Sequence, residues 1–191
     1  MTPPRMLSLF SGIGGIDIAA KWAGVQTVAL CEIEPYAIQV LKRRFPGVPI
    51  YRDVRDITAD RLRRDGIGKI DILAGGFPCQ PHSLAGKRLA SNDDRDLWGE
   101  CARLLRDIYP RWAVFENVPG LLSSESRRFF RRVLREMAEA RYDAVWTTYG
   151  AADVGAPHQR DRIFIIGHRQ DVDDTSGRAM WNDGKNIRAT T

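Results

Sequence analysis

The chain has 191 residues, 43% of them hydrophobic and 28% charged, a length and texture that suit one soluble α/β domain with a sizeable core. No apolar run reaches the roughly 20 residues of a membrane helix, and the opening MTPPRMLSLFSG lacks an apolar stretch followed by a small-residue cleavage site, which argues against a membrane span and a secretory leader and for a cytoplasmic location. The three cysteines, Cys31, Cys79 and Cys101, form no CxxC pair, so neither a disulfide framework nor a metal site is expected, while the net charge of +5 suits a polyanionic partner such as nucleic acid without requiring one.

In chain order, a strand is expected over 6–10, followed by the glycine-rich turn Ser11-Gly12-Ile13-Gly14-Gly15 and a helix over 16–22. A second strand covers 25–31 and a second helix 36–45, with Pro35 suited to its first turn. A third clear strand, 70–74, ends at Gly75-Gly76; residues 97–108 have helical spacing and stop before Pro110; 113–115 is the heart of another strand. The next helix has an apolar stripe of Phe129, Phe130, Val133, Leu134 and Met137, with Ser123 or Ser124 as cap and Glu125 in its first turn. Its arginines, Arg127, Arg128, Arg131, Arg132 and Arg135, read as a solvated face rather than a DNA-contacting patch. Two strands follow over 142–149 and 162–167, and 170–191 reads as a polar tail or linker after a folded unit spanning 1–169. Strands alternating with helices predict a mostly parallel sheet covered by helices on both faces, a Rossmann-like arrangement that binds ligands beyond the carboxyl ends of its strands.

Several candidate site residues fall at such ends. The turn at 11–15 lets the backbone approach a ligand and opens a helix with free amide donors, although it is not GxGxxG and a purely structural turn would look the same. Glu32, ending the second strand, can accept hydrogen bonds from ribose hydroxyls, and Asp53, after the short apolar stretch 48–51, can accept from an adenine amino group; helix caps or solvated loops are the plain alternatives. Gly75-Gly76-Phe77-Pro78-Cys79-Gln80-Pro81 is a loop of restricted shape presenting one thiol, unlike Cys31 and Cys101, which sit in apolar segments. A thiol needs a nearby charge or proton acceptor to become a nucleophile at neutral pH. Glu116, after three apolar residues, is costly to bury as the anion, which predicts a raised pKa and a donor role. Arg160 and Arg162 precede a strand, where they serve a site or simply cap the sheet and pair with Asp161.

Together these blocks resemble the DNA cytosine-5 methyltransferase family. Phe10-Ser11-Gly12-Ile13-Gly14-Gly15 is similar to its cofactor loop, Gly76-Phe77-Pro78-Cys79-Gln80 to its nucleophile loop, Glu116-Asn117-Val118 to its Glu-Asn-Val signature, and Arg160-Asp161-Arg162 to its paired-arginine block. The resemblance runs from Met6 to about Arg169 and implies an S-adenosylmethionine-dependent enzyme acting on a cytosine flipped out of double-stranded DNA. It implies that Phe10 stacks on adenine, Gly12, Gly14 and Gly15 line the methionine part, Glu32 holds the ribose and Asp53 meets adenine. By the same resemblance Pro78 and Cys79 lie between cofactor and base, Glu116 contacts N3 and the exocyclic amine, and Arg162 contacts O2. No metal is implied.

The chain departs from the family pattern in two places. Pro157-His158-Gln159 stands where the family has a glutamine ahead of the paired arginines, and nothing after Arg169 resembles a target-recognition region or the closing block. The chain then reads as a truncated product, as one half of a split enzyme with a second chain supplying target recognition, or as an intact but degenerate protein, and the 191 residues alone are expected to give weak or no sequence-specific methylation. A catalytically inactive remnant and an RNA cytosine methyltransferase share the same blocks; a nucleotide-binding oxidoreductase is disfavoured by the missing GxGxxG.

Overall fold

The computed structural model describes residues 2–78, 97–123 and 126–170. Cys79, Ser124, Glu125 and nearly all of the tail expected over 170–191 lie outside the described residues.

Among the described residues seven strands form one sheet in the order β3-β2-β1-β4-β5-β7-β6: β1 Arg5–Leu9, β2 Gln26–Cys31, β3 Ile50–Tyr51, β4 Ile72–Gly76, β5 Trp112–Asn117, β6 Tyr142–Tyr149 and β7 Arg162–Arg169. Strands β3, β2, β1, β4 and β5 pair in parallel, whereas β7 runs antiparallel to both β5 and β6. The helices are α1 Gly15–Trp22, α2 Pro35–Arg44, α3 Ala59–Arg64, α4 Trp98–Ile108 and α5 Arg127–Glu139. The expected mostly parallel, Rossmann-like sheet is present.

Alternating residues of a strand face opposite sides, and this locates the helices. Ser8 of β1 turns toward α1, bonding Asp17. Leu7, Leu73 and Ala113 are aligned across β1, β4 and β5 and share one cluster with Trp98 and Leu105 of α4 and Val133 and Met137 of α5. Helices thus cover both faces. The inner strands β1 and β2 are buried on both sides, but β5 and β7 alternate between buried and half-buried positions. On the half-buried side lie Trp112, Val114, Phe164 and Ile166, with Val145 and Tyr149 of β6 exposed beside them.

Several boundaries differ from the sequence expectation for identifiable reasons. Strand β1 stops at Leu9, because Phe10 already has the left-handed φ of 51° that begins the turn. Gly75 and Gly76 belong to β4 rather than following it: a Cβ on Gly75 would lie 2.5 Å from the Leu9 carbonyl oxygen, so the two backbones approach as only glycine permits. Strand β5 runs on to Asn117, so Glu116 is a strand residue paired with Gly76 and Phe164. Helix α5 starts at Arg127 with Ser126 as its cap residue and no side-chain cap bond; Ser123 Oγ instead accepts from the Ser126 N–H at 3.4 Å. The short helix α3, capped by Thr58, had no expectation because its six residues show too little periodicity. The α5 arginines Arg127, Arg128, Arg131 and Arg135 are exposed, and Arg132 bonds Glu136 at 2.7 Å, which is the solvated face expected.

Candidate active site

The carboxyl ends of β1, β2, β4 and β5 share one edge of the sheet. Beyond β1, Phe10 and Gly12 take positive φ (51° and 53°), and Gly14 (87°) caps α1 with its N–H bonded to the Ser11 carbonyl at 2.8 Å. A non-glycine residue held at positive φ costs on the order of 1–3 kcal/mol and persists only where its surroundings impose it. Here they do. Ser11 N–H donates to the Cys31 carbonyl at 3.0 Å, Ser11 Oγ donates to the Ser8 carbonyl at 3.1 Å, and Arg44 of α2 donates to the Ile13 carbonyl at 2.9 Å. Beneath the turn, Asp17 is buried and accepts from Ser8 Oγ at 3.1 Å and Thr27 Oγ1 at 2.9 Å, joining α1 to β1 and β2; burial holds its carboxyl above the ordinary range, opposed by those two hydroxyls.

Glu32 follows β2. Its Oε2 accepts from the Gly12 N–H at 2.7 Å, and its Oε1 accepts from the Ile33 and Glu34 N–H groups at 2.8 Å each. One carboxylate thus ties the turn after β1 to the start of α2. Asp53 is a cap as well: its Oδ1 accepts from Arg55 N–H at 2.9 Å at the head of the 3-10 turn Val54–Asp56. Around Gly12 and Gly15 an added Cβ would meet nothing within 4 Å, whereas at Gly14 it would lie 2.6 Å from Phe45. The turn is thus open on its outer side and packed on its inner side. Ile13, Ile33 and Tyr36 stand exposed around it. An open glycine cradle, a helix N-terminus, an oriented carboxylate and exposed apolar side chains are a donor and acceptor set that fits an adenosyl group.

At the other half of the edge, Glu116 Oε1 is 2.6 Å from Arg162 Nε, with the two side chains 26% and 21% exposed. Glu116 is thus partly exposed and lies against a guanidinium. Arg162 pairs with Glu116 rather than with the Asp161 carboxylate; at Asp161 it donates to the carbonyl, at 2.7 Å. Arg160, two residues before the strand, is exposed. The pair forms because β7 is antiparallel, so its first residue lies where the parallel strands end. Gly76 lies beside Glu116, and a Cβ there would come within 2.7 Å of Glu116 Oε2.

Sequence reasoning singled out no role for three of these residues. Asn117 is 4% exposed; its Nδ2 donates to the Phe77 carbonyl at 2.9 Å and its Oδ1 accepts from Val118 N–H at 2.8 Å. Gly76 makes room for the carboxylate. Asp17 was visible as an acid within the apolar run Ile16–Ile18, a signal for a buried, hydrogen-bonded carboxylate. Phe77, the residue Asn117 holds, packs against Trp98, Phe115 and Phe129 at ring separations of 5.0, 6.0 and 6.2 Å. Pro78 follows it, exposed, and leads to Cys79.

A sheet of this order, with its reversed seventh strand and glycine turn after β1, defines a Rossmann-like methyltransferase fold. The same architecture occurs in a DNMT2 from Spodoptera frugiperda, at a TM-score of 0.71 and 26% identity over 89% of this chain and 51% of that one. The model of the C-5 cytosine-specific DNA methylase family matches residues 4–188, and the chain belongs to that family. It is 38% identical to the type II methyltransferase M.XorII of Xanthomonas oryzae pv. oryzae over 89% of this chain and 42% of that protein. It is 33% identical to M.AquIA of Picosynechococcus sp. over 86% of this chain and 72% of that protein. The chain spans less than half the length of several other type II relatives, 38% of M.HgiBI among them. Among the described residues no helix is long and apolar enough to cross a membrane.

Proposed function

We propose that this chain carries the catalytic centre of a DNA cytosine-5 methyltransferase, with Cys79 as nucleophile and S-adenosylmethionine as methyl donor. The observation that carries the reading is the Glu116–Arg162 pair at the carboxyl edge of the sheet, beside the strand that leads into Pro78-Cys79 and along the same edge as the open glycine turn. Family membership supports it.

Carbon 5 of cytosine is a poor nucleophile in the intact aromatic ring. Addition of the Cys79 thiolate to carbon 6 breaks that conjugation and pushes electron density toward N3 and O2. As that density builds, the Glu116 carboxyl gives a proton to N3 and accepts from the exocyclic amine, while Arg162 donates to O2. Carbon 5 then has enamine character. S-adenosylmethionine, when bound, supplies a methyl group on a sulfonium leaving group. Phe10 would stack on its adenine, Gly12, Gly14 and Gly15 would line its methionine part, Glu32 would accept from its ribose, Asp53 would face the adenine amine, and Pro78 would lie between it and the base. A water molecule then takes the carbon-5 proton, the ring expels the Cys79 sulfur as thiolate, and N3 returns its proton to Glu116, restoring aromaticity and the starting enzyme. The target base leaves the duplex first, at a cost of a few kcal/mol.

The relatives' further length fits a separate provision of sequence recognition, on this polypeptide or on a partner chain. The half-exposed side of β5, β7 and β6, with Trp112, Val114, Phe164 and Ile166, offers that portion apolar surface next to the Glu116–Arg162 pair. A cytoplasmic location accords with this role.

DNA carrying 5-fluorocytosine tests the reading, because fluorine at carbon 5 cannot leave as a proton and the Cys79 sulfur stays bonded to carbon 6. With S-adenosylmethionine present the chain should form a denaturation-resistant adduct with weak site preference, and Cys79→Ser should form none. An adduct that survives Cys79→Ser would refute the assignment.

A further inference from the structure

Glu116 and Asn117 are neighbours in β5, so their side chains leave opposite faces of the sheet. Glu116 faces Arg162. Asn117 turns the other way into the core and reaches the strand beside it. The β4–β5 ladder ends at the pair Gly76–Glu116. Phe77 is the next residue of the departing chain, and its carbonyl is met by the side-chain amide of Asn117 at 2.9 Å in place of a ladder bond. The Asn117 side chain is itself fixed, because its Oδ1 accepts from Val118 N–H at 2.8 Å. The Phe77 ring is held at the same time by Trp98, the second described residue after the 79–96 segment, and by Phe115 and Phe129. Peptide and ring of Phe77 are thus both anchored two residues before Cys79.

We propose that Asn117 is a positioning residue for the nucleophile segment, setting the direction in which the chain runs from Phe77 into Pro78 and Cys79 relative to the carboxylate of Glu116. One dipeptide then sets both halves of the reaction geometry: Glu116 addresses the base from one face of β5, and Asn117 holds the path to the thiol from the other. The residue type follows from the contacts. The side chain must donate to one backbone group and accept from another at this reach, which a planar amide does; an ionised aspartate has no donor, and alanine has neither function. An aspartate here would also set an acceptor against the Phe77 carbonyl in a buried place, leaving both without a proton between them. The inference rests on the roles of Cys79 and Glu116 argued above.

The test compares the unaltered chain, Asn117→Asp, Asn117→Ala and Cys79→Ser by single-turnover adduct formation on 5-fluorocytosine DNA at saturating DNA and S-adenosylmethionine. Dissociation constants for both and the thermal midpoint are measured in parallel, with rates taken well below the lowest midpoint. A displacement of about 1 Å at a reacting group costs on the order of a hundredfold in rate, so both Asn117 variants should lose about a hundredfold in the saturating rate while both dissociation constants stay within about twofold. Asn117→Asp keeps the shape of the side chain and guards against misfolding of the alanine variant. Saturating rates equal to the unaltered chain, or rates reduced only in proportion to the unfolded fraction, would overturn the proposal and leave the nucleophile reading intact. An adduct retained by Cys79→Ser, or none formed by the unaltered chain, would remove the reading beneath it and the proposal with it.

Discussion

Gly76→Ala separates the geometry of the carboxylate from the stability of the fold. Gly76 lies beside Glu116 on the parallel ladder, and a Cβ there would come within 2.7 Å of Glu116 Oε2, against the 3.4 Å at which ordinary contact begins. The carboxylate must therefore retreat by the difference, about 0.7 Å, and its 2.6 Å contact with Arg162 must lengthen or turn. The backbone has no objection, since Gly76 is not among the glycines at positive φ. Alanine gains about 0.4–1 kcal/mol by restricting the unfolded chain, and weakening a part-exposed ion pair costs about 0–1 kcal/mol, so net stability should stay within about 1 kcal/mol. Rate is more sensitive: with about 1 Å worth a hundredfold, a shift of this size should cost roughly 10- to 100-fold, or about 1.4–2.7 kcal/mol of transition-state stabilisation. Single-turnover adduct formation on 5-fluorocytosine DNA measures the rate, and urea unfolding measures the stability. A variant as fast and as stable as the unaltered chain would refute the argument that Glu116 works from this position.

Gly75→Ala should behave oppositely, because its Cβ would meet the Leu9 backbone carbonyl at 2.5 Å and neither group can swing away; a loss of about 1–3 kcal/mol in urea unfolding is expected, and unchanged stability would contradict the close approach of β4 and β1. Asp17→Ala strands the buried hydroxyls of Ser8 and Thr27 and should cost about 1–3 kcal/mol in the same measurement. Burial raises the Asp17 carboxyl above its ordinary 3.8, so the folded state binds that proton more tightly than the unfolded chain does. Its contribution is full below pH 3.8 and is lost as pH rises through the folded value; Asp17→Asn should remove that part of the pH dependence, and identical urea midpoints against pH for the two proteins would refute it. Burial pushes the Cys31 thiol up to about 12, and Cys101 is fully enclosed. Iodoacetamide at pH 8 should therefore label Cys79 and spare both until the protein unfolds; early labelling of Cys31, read by mass spectrometry, would contradict this packing.

The sequence alone determined the alternation of strands and helices, the glycine turn after the first strand and the buried state of Cys31 and Cys101, because each is written in local periodicity or in residue types with few conformational options. It also brought Glu116 and the arginine block to attention as charges beside apolar strands. What it left open was which charge meets which. Asp161, adjacent to Arg162, was the local candidate, and only the reversal of β7 brings Arg162 to Glu116, forty-six positions away in the chain. How far Glu116 is covered was open for the same reason, since burial is a property of the neighbouring strands and not of the three apolar residues before it. Asn117 and Gly76 gained their meaning in the same way. In the sequence both stood only within the Glu-Asn-Val and nucleophile-loop blocks; which contact each makes is decided when the parallel register sets β4 beside β5, and registers are decided by the packing of whole strands.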